Sequence, residues 1–177
     1  MVRGYTVSEL YEATHNENHL KNPNMEKADL RRADFRNASL TGANLRKSNL
    51  IRANLIEAYL NSADLEEAQL EGADLDWAMF IGANLEKCSL VGAELIGTDL
   101  TGANLRNANL TKANFAEANL LNADLTETDL RRAENLTINQ LSKVKTLRGA
   151  KLDEHLLIPL KEKFPDLFKV SERDTKF

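Results

Sequence analysis

A repeat of five residues runs without interruption from residue 28 to residue 130, and it constrains the fold more than any other feature of the chain. Leucine or phenylalanine occupies every fifth position from Leu30 to Leu130. We call this residue position 0 of its unit. A small residue, nearly always alanine, lies at position −2, and the two residues after the centre are positions +1 and +2. The unit reads Ala-(Asp/Asn)-Leu-Xaa-Xaa.

Neither a continuous helix nor a continuous strand fits this period. In an α-helix five residues advance about 500°, so successive leucines would point in all directions and leave no apolar face. In a straight strand an odd period would place successive leucines on opposite faces of the sheet. The chain must therefore bend once per unit and direct its leucines and alanines toward one axis. The repeat predicts a solenoid.

The residues around each centre favour such a bend. Asp or Asn occupies position −1 in fifteen of the twenty-one units, and these side chains bond local backbone and favour turns. Six of the eight glycines occupy position +2, where the positive φ of a tight turn suits glycine. They are Gly42, Gly72, Gly82, Gly92, Gly97 and Gly102.

On these residues the chain resembles the pentapeptide repeat proteins, in register over about six tenths of its length. The resemblance implies an all-β solenoid, a right-handed quadrilateral β-helix in which four units form one square coil and positions −2 and 0 point inward. It predicts about five coils over 28–132, an N-terminal cap over 1–27 and a C-terminal helical segment over 133–177. The register continues weakly upstream through Met25 and Leu20 and fails at Asn135.

Short helical caps are expected at both ends, because open solenoid ends need covering. At the N-terminus, Thr6 and Glu9 have the spacing of a capping box. At the other end, 135–144 is predicted to be a helix with Thr137 as its N-cap, and 149–152 copies one stray repeat.

The last segment, from Leu156 to Phe168, should be short or kinked, because Pro159 and Pro165 interrupt it. Two roles are open for the C-terminal segment. It either covers the last coil or forms a dimer contact, so the chain is expected to be a monomer or a homodimer through this segment.

No catalytic, cofactor or metal site is predicted. His15 and His19 lie four residues apart near Glu12, but a third and fourth ligand are lacking and a solvated polar loop is the preferred interpretation. Cys88 takes a position −2 that alanine usually fills, so it is expected to be a buried hydrophobic residue and not a nucleophile. Phosphate-loop, nucleophile-elbow and zinc spacings are lacking. These features predict a non-enzyme.

Length and hydropathy point to one domain that works outside the membrane. A chain of 177 residues suits a single domain, and burial of the repeat leucines supplies a sizeable core without a cofactor. The sequence shows neither a membrane span nor a secretory signal, so a cytoplasmic location is the default expectation.

An outward apolar patch is predicted where four units complete a coil, because residues twenty apart then stack at about 4.8 Å. Ile56 and Ile96 flank Asp76 in one outward column of the face of Leu55, Leu75 and Leu95. Trp77, Tyr59, Met79 and Ile81 lie around the adjoining corner. A solenoid has no folding reason to expose such residues, and Trp and Tyr are enriched at interfaces. We predict a protein-binding surface there; alternatively, a terminal segment covers it or single apolar residues are merely exposed.

Charge is also patterned along the chain. Residues 57–99 carry ten acids and one base, whereas 31–52 carry six bases and one acid. An acidic belt repels DNA and attracts a basic protein, so no direct nucleic-acid binding is expected. The acids assigned to the predicted binding surface are Glu66, Glu67, Glu71, Asp74, Asp76 and Glu94.

Two functions remain open at this point. The first is a non-catalytic protein-binding or scaffold module whose partner the sequence does not identify. The second follows from the resemblance, because some pentapeptide repeat proteins resemble a DNA rod and modulate or protect DNA gyrase or topoisomerase IV. Those relatives are longer rods of paired solenoids, often with loop insertions, whereas this chain has no insertion between 28 and 130.

Overall fold

The structure is a computed structural model that describes residues 24–169. Most of the predicted N-terminal cap, including the capping box of Thr6 and Glu9 and the pair His15 and His19, lies outside the described residues.

Parallel pairing between residues twenty apart defines the coil. Residues at position −1 form single β-bridges with their counterparts one coil later, beginning with Asn24 and Asn44 and continuing to Asn114 and Glu134. The N–H of position 0 donates to the next coil in nearly every unit, as Leu30 does to the Asn49 carbonyl at 2.8 Å. Four units therefore complete one coil, and each side of the coil contributes one bridging pair because a turn follows immediately.

Every unit ends in a turn, and the signs of φ at its two central residues are the same in each unit. The N–H of position −2 donates to the preceding position 0 carbonyl, as Ala33 does to Leu30 at 3.0 Å. Position +2 has positive φ in each unit from Lys27 to Arg132, whether or not it is glycine, while position +1 does not. Positive φ at the third turn residue alone is the pattern of a type II turn. Each non-glycine residue there costs about 1–2 kcal/mol, which the hydrogen bonds between coils offset.

The inside of the coil is the core. Positions −2 and 0 are buried from Leu30 to Leu130, with Phe35, Phe80 and Phe115 among the largest fully buried side chains. Polar residues at position −2 have partners; for example, the Thr98 hydroxyl donates to the Leu75 carbonyl at 2.9 Å. Cys88 is buried as expected, and burial raises the pKa of its thiol. This confirms the inward register predicted from the sequence.

The repeat register ends where the sequence predicts. Asn135 is exposed with φ of 54°, and Leu136 is buried in its place. The helix α1, Ile138–Leu141, follows; it is shorter than the predicted 135–144, but its predicted N-cap Thr137 is confirmed. The cap is a full capping box with Gln140.

The rest of the C-terminal segment adds another unit and two short helices. Thr146 and Lys151 form parallel bridges with Asp124 and Asp129, so the stray repeat does extend the coil. It is followed by α2, Glu154–Lys163, and a 3₁₀ helix, Pro165–Phe168. The side chains of Leu141, Val144, Leu147, Leu152, Leu156 and Leu160 extend the buried core. The segment therefore covers the last coil, and its predicted role as a dimer contact stays a prediction.

Candidate functional site

Six apolar side chains lie on one side of the coil and in the two turns that flank it, and we call them the apolar patch. Trp77, Tyr59 and Ile81 are 55%, 47% and 37% exposed. Ile56 and Ile96 are half-buried beside them, and Met79 is exposed. Tyr59 and Met79 form a bridging pair of adjacent coils, and the Trp77 N–H donates to the Ile96 carbonyl at 2.8 Å. The structure thus brings together all six apolar residues predicted from the sequence.

Leu121 enlarges the same exposed surface and was missed in the sequence. It is 43% exposed and lies in the outward row of Ile81, two coils further on. Hydrogen bonds between turns connect this row, from Gly82 to the Thr101 carbonyl and from Gly102 to the Leu121 carbonyl. The spacing of forty residues from Ile81 was the signal that could have found it.

Trp77 lies flat against the next coil. A Cβ added to Gly97 would lie 2.4 Å from Cε3, 2.5 Å from Cζ3 and 2.7 Å from Cδ2 of the indole. These contacts mean that the six-membered ring covers the Gly97 backbone, and only a residue without a side chain fits beneath it. One face of the indole is therefore packed and the other faces outward.

Three carboxylates lie next to the patch. Asp76 lies between Ile56 and Ile96, and its Oδ1 accepts the Ile96 N–H at 3.0 Å. Asp74 and Glu94 form a bridging pair beside it. Burial, with a further contribution from the negative charges of Asp74 and Glu94, raises the pKa of Asp76. No ion pair to these three carboxylates is found among residues 24–169.

The other predicted acids lie elsewhere. Glu66 forms an ion pair with Arg46, and Glu67 pairs with Lys47 at 3.5 Å, on the face of Leu45 and Leu65. Glu71 lies on a third face, where its Oε2 is buried without a hydrogen-bond partner. The structure does not bring these three acids to the apolar patch.

Residues 133–169 of the C-terminal segment do not cover the patch. Its polar contacts go to the last coil: the Gln140 amide donates to the Phe115 carbonyl at 2.8 Å and the Ala118 carbonyl at 3.0 Å. Lys145 donates to Asp124 at 3.0 Å. Both contacts lie beyond the coils that carry Tyr59 and Trp77.

Within the described range, no group of three or more His, Cys, Asp and Glu side chains could hold a metal ion. Nor does any described helix have the length and apolar character needed to cross a bilayer.

Comparison with known families identifies the repeat. The family described as "Pentapeptide repeats (8 copies)" matches residues 19–50, 38–76, 48–86, 68–107 and 93–132. These overlapping matches span more than half of the chain, so the chain belongs to the pentapeptide repeat family. Members of this family are generally non-catalytic, and membership implies a right-handed quadrilateral β-helix.

A solved structure of a pentapeptide repeat protein agrees with this assignment. HetL, a pentapeptide repeat protein involved in heterocyst differentiation regulation from the cyanobacterium Nostoc sp. strain PCC 7120, is 33% identical with a TM-score of 0.64. The match covers 75% of this chain and 58% of HetL, so this chain spans less than two thirds of that protein. QnrB1, a plasmid-mediated fluoroquinolone resistance protein, is 26% identical with a TM-score of 0.48, covering 83% of this chain and 73% of QnrB1. No curated protein of similar sequence was found.

Proposed function

We propose that this protein is a non-catalytic scaffold that binds a partner protein through the apolar patch. The observation that carries the proposal is the outward exposure of Trp77, Tyr59 and Ile81 along one side of the coil and its two flanking turns. A contiguous apolar surface of this kind is typical of an interaction site. The proposal includes a right-handed β-helix of about five coils with short helical caps at both ends, and a cytoplasmic location.

Folding gives no reason for the patch. The inward leucines and alanines already form a continuous buried core. The C-terminal segment extends that core beyond the last coil. Tyr and Trp at a solvent-exposed corner also have the composition of binding hot spots, since each combines a large apolar area with a polar group.

Affinity capture from a lysate of the source organism tests the proposal. Wild type is compared with Ile56→Arg/Ile96→Arg and with Tyr59→Ser/Ile81→Ser, and bound proteins are identified by mass spectrometry. The matched control is Ile158→Ser, because Ile158 is 54% exposed on α2, away from the patch. Circular dichroism and thermal unfolding establish that each variant folds.

We expect a partner that is captured by wild type and by Ile158→Ser but lost in both patch variants. A partner captured equally by all four proteins would contradict the proposal. The second hypothesis, a DNA-mimicking modulator of gyrase or topoisomerase IV, predicts recovery of one of these enzymes. Pairing of Glu66 and Glu67 with Arg46 and Lys47 favours the patch over this alternative, because it neutralises part of the acidic belt.

A further inference from the structure

We propose that the partner segment bound at the apolar patch carries an arginine between apolar residues, and that this arginine lies against the Trp77 indole and the Asp76 carboxylate. The inference rests on the proposed function and specifies the chemistry of the partner. Three observations support it: a comparison with the opposite face of the coil, the orientation of the indole, and the unpaired charge beside it.

The opposite face of the coil shows how this chain neutralises the same arrangement of acids. There Asp64 at position −1 and Glu66 at position +1 both pair with Arg46, which occupies position +1 one coil earlier. Asp74 and Asp76 have the same two positions on the opposite face, two units further along the coil, but Ile56 stands where the arginine would be. A guanidinium from outside the chain would supply the missing partner.

The carboxylates themselves favour a cation. Asp74 and Glu94 are stacked as a bridging pair of like charges, an arrangement that is destabilising across neighbouring strands. Asp76 lies beside them, and its raised pKa reflects burial together with their repulsion. Binding of a positive charge relieves this repulsion, and the half-buried position screens the interaction less than bulk water does.

The indole makes arginine the preferred cation. Because one face of the Trp77 ring is packed on Gly97, the opposite face is a flat and rigid platform. A guanidinium stacks on such a ring and still donates two hydrogen bonds to a carboxylate through its planar fork, whereas an ammonium acts as a point charge. Ile56 and Ile96, on either side of Asp76, would then contact apolar residues that flank the arginine.

A random peptide library displayed on phage, selected on the wild-type protein, tests this inference. We expect enrichment of peptides with arginine flanked by aliphatic or aromatic residues. A synthetic copy of one such peptide should bind at least tenfold more weakly to Asp76→Asn, to Trp77→Ala and to Ile56→Arg. Citrulline in place of its arginine should have the same effect, because citrulline keeps the shape and removes the charge.

Glu67→Gln is the matched control, since it removes one negative charge on another face. An equal loss of binding in this variant would overturn the inference in favour of general attraction to an acidic protein. Peptides without arginine that nevertheless depend on Tyr59 and Ile81 would also overturn it, while leaving the patch as a binding surface. If no selected peptide depends on any patch residue, the proposed function fails as well.

A second copy of the chain is the remaining occupant to be tested. Sedimentation velocity of the wild-type protein, run before the selection, should show no association that Asp76→Asn or Trp77→Ala removes. Association that these variants do remove would assign the patch to self-assembly and overturn the inference.

Discussion

The indole of Trp77 lies so close to the backbone of Gly97 that a Cβ there would be 2.4 Å from Trp77 Cε3. Both residues occupy position +2, one coil apart, and both have positive φ. The indole of Trp77 therefore packs on the backbone of the glycine one coil later.

Gly97→Ala should displace the indole and destabilise the protein. The added methyl group would overlap the indole ring. The backbone of the new alanine would also have to keep a left-handed conformation, which alone costs about 1–2 kcal/mol. We expect a lower free energy of unfolding in urea and a shifted fluorescence emission maximum. The fluorescence is specific, since the chain has one tryptophan.

Gly102→Ala is the control for backbone strain. Gly102 also has φ of 65°, but nothing lies within 4 Å of its added Cβ. Gly102→Ala should lose only the free energy that the left-handed backbone conformation of alanine costs. Its fluorescence emission maximum should stay at the wild-type value. Identical fluorescence in the two variants would mean that the indole does not rest on Gly97.

Gln140→Ala should weaken the covering of the last coil. The Gln140 amide donates to two backbone carbonyls, and its Oε1 accepts the Thr137 N–H at 2.9 Å. Loss of these partners should cost about 1–3 kcal/mol in the free energy of unfolding, measured by urea denaturation. Asn139→Ala, at the exposed neighbour on the same helix, should change it by less than about 0.5 kcal/mol. Equal effects would contradict a specific role for Gln140.

Asp124 should stabilise the protein above acidic pH. Burial alone would raise its pKa, but hydrogen bonds from Thr126 and Lys145 and the charge of Lys145 outweigh it and hold the pKa below its usual value. The stabilisation is therefore present above the unfolded pKa of about 3.9 and is lost as the pH falls through the lower folded value. Asp124→Asn should lower the free energy of unfolding at pH 7 by about 1–3 kcal/mol.

Asp76→Asn, unlike Asp124→Asn, should raise the free energy of unfolding at pH 7. The folded pKa of Asp76 is raised, so its favourable contribution is complete below the unfolded pKa and disappears as the pH rises through the folded value. We expect the variant to be slightly more stable than wild type at pH 7, by less than about 1 kcal/mol, and indistinguishable near pH 3. Urea denaturation at both pH values measures this. Destabilisation at pH 7 would show that Asp76 has a charge partner in the free protein.

Cys88 should be chemically inert until the protein unfolds. Its side chain is 1% exposed, and burial raises the pKa of the thiol, so little thiolate is present at neutral pH. A disulfide reagent such as dithionitrobenzoate should label it only in denaturant. Rapid labelling of the native protein would contradict the inward register of position −2.

The period of five was sufficient to predict the inward residues, the turns and the end of the repeat. Every unit has the same types of residue at the same positions, so the pattern predicts which side chains point into the coil and which point outward. The exposure of Tyr59, Trp77 and Ile81 was also predictable, because stacking at twenty residues follows from the coil.

Other features depended on three-dimensional contacts that the pattern does not contain. Glu66 and Glu67 were assigned to the binding surface from charge alone, but their pairing depends on Arg46 and Lys47 one coil earlier. The helix after Thr137 is shorter than predicted because the chain must return to pair Thr146 with Asp124. The packing of Trp77 on Gly97 likewise depends on the side-chain rotamer of Trp77, which the repeat pattern does not specify.

Site-specific photocrosslinking tests the central claim most directly. A benzoylphenylalanine is placed at Ile81 on the patch or at Ile158 on α2, two exposed aliphatic positions of the described chain, and each protein is irradiated in a lysate of the source organism. We expect a defined crosslinked partner from position 81 and none from position 158. Crosslinking of the same partner at 158 alone, or equally at both positions, would contradict it.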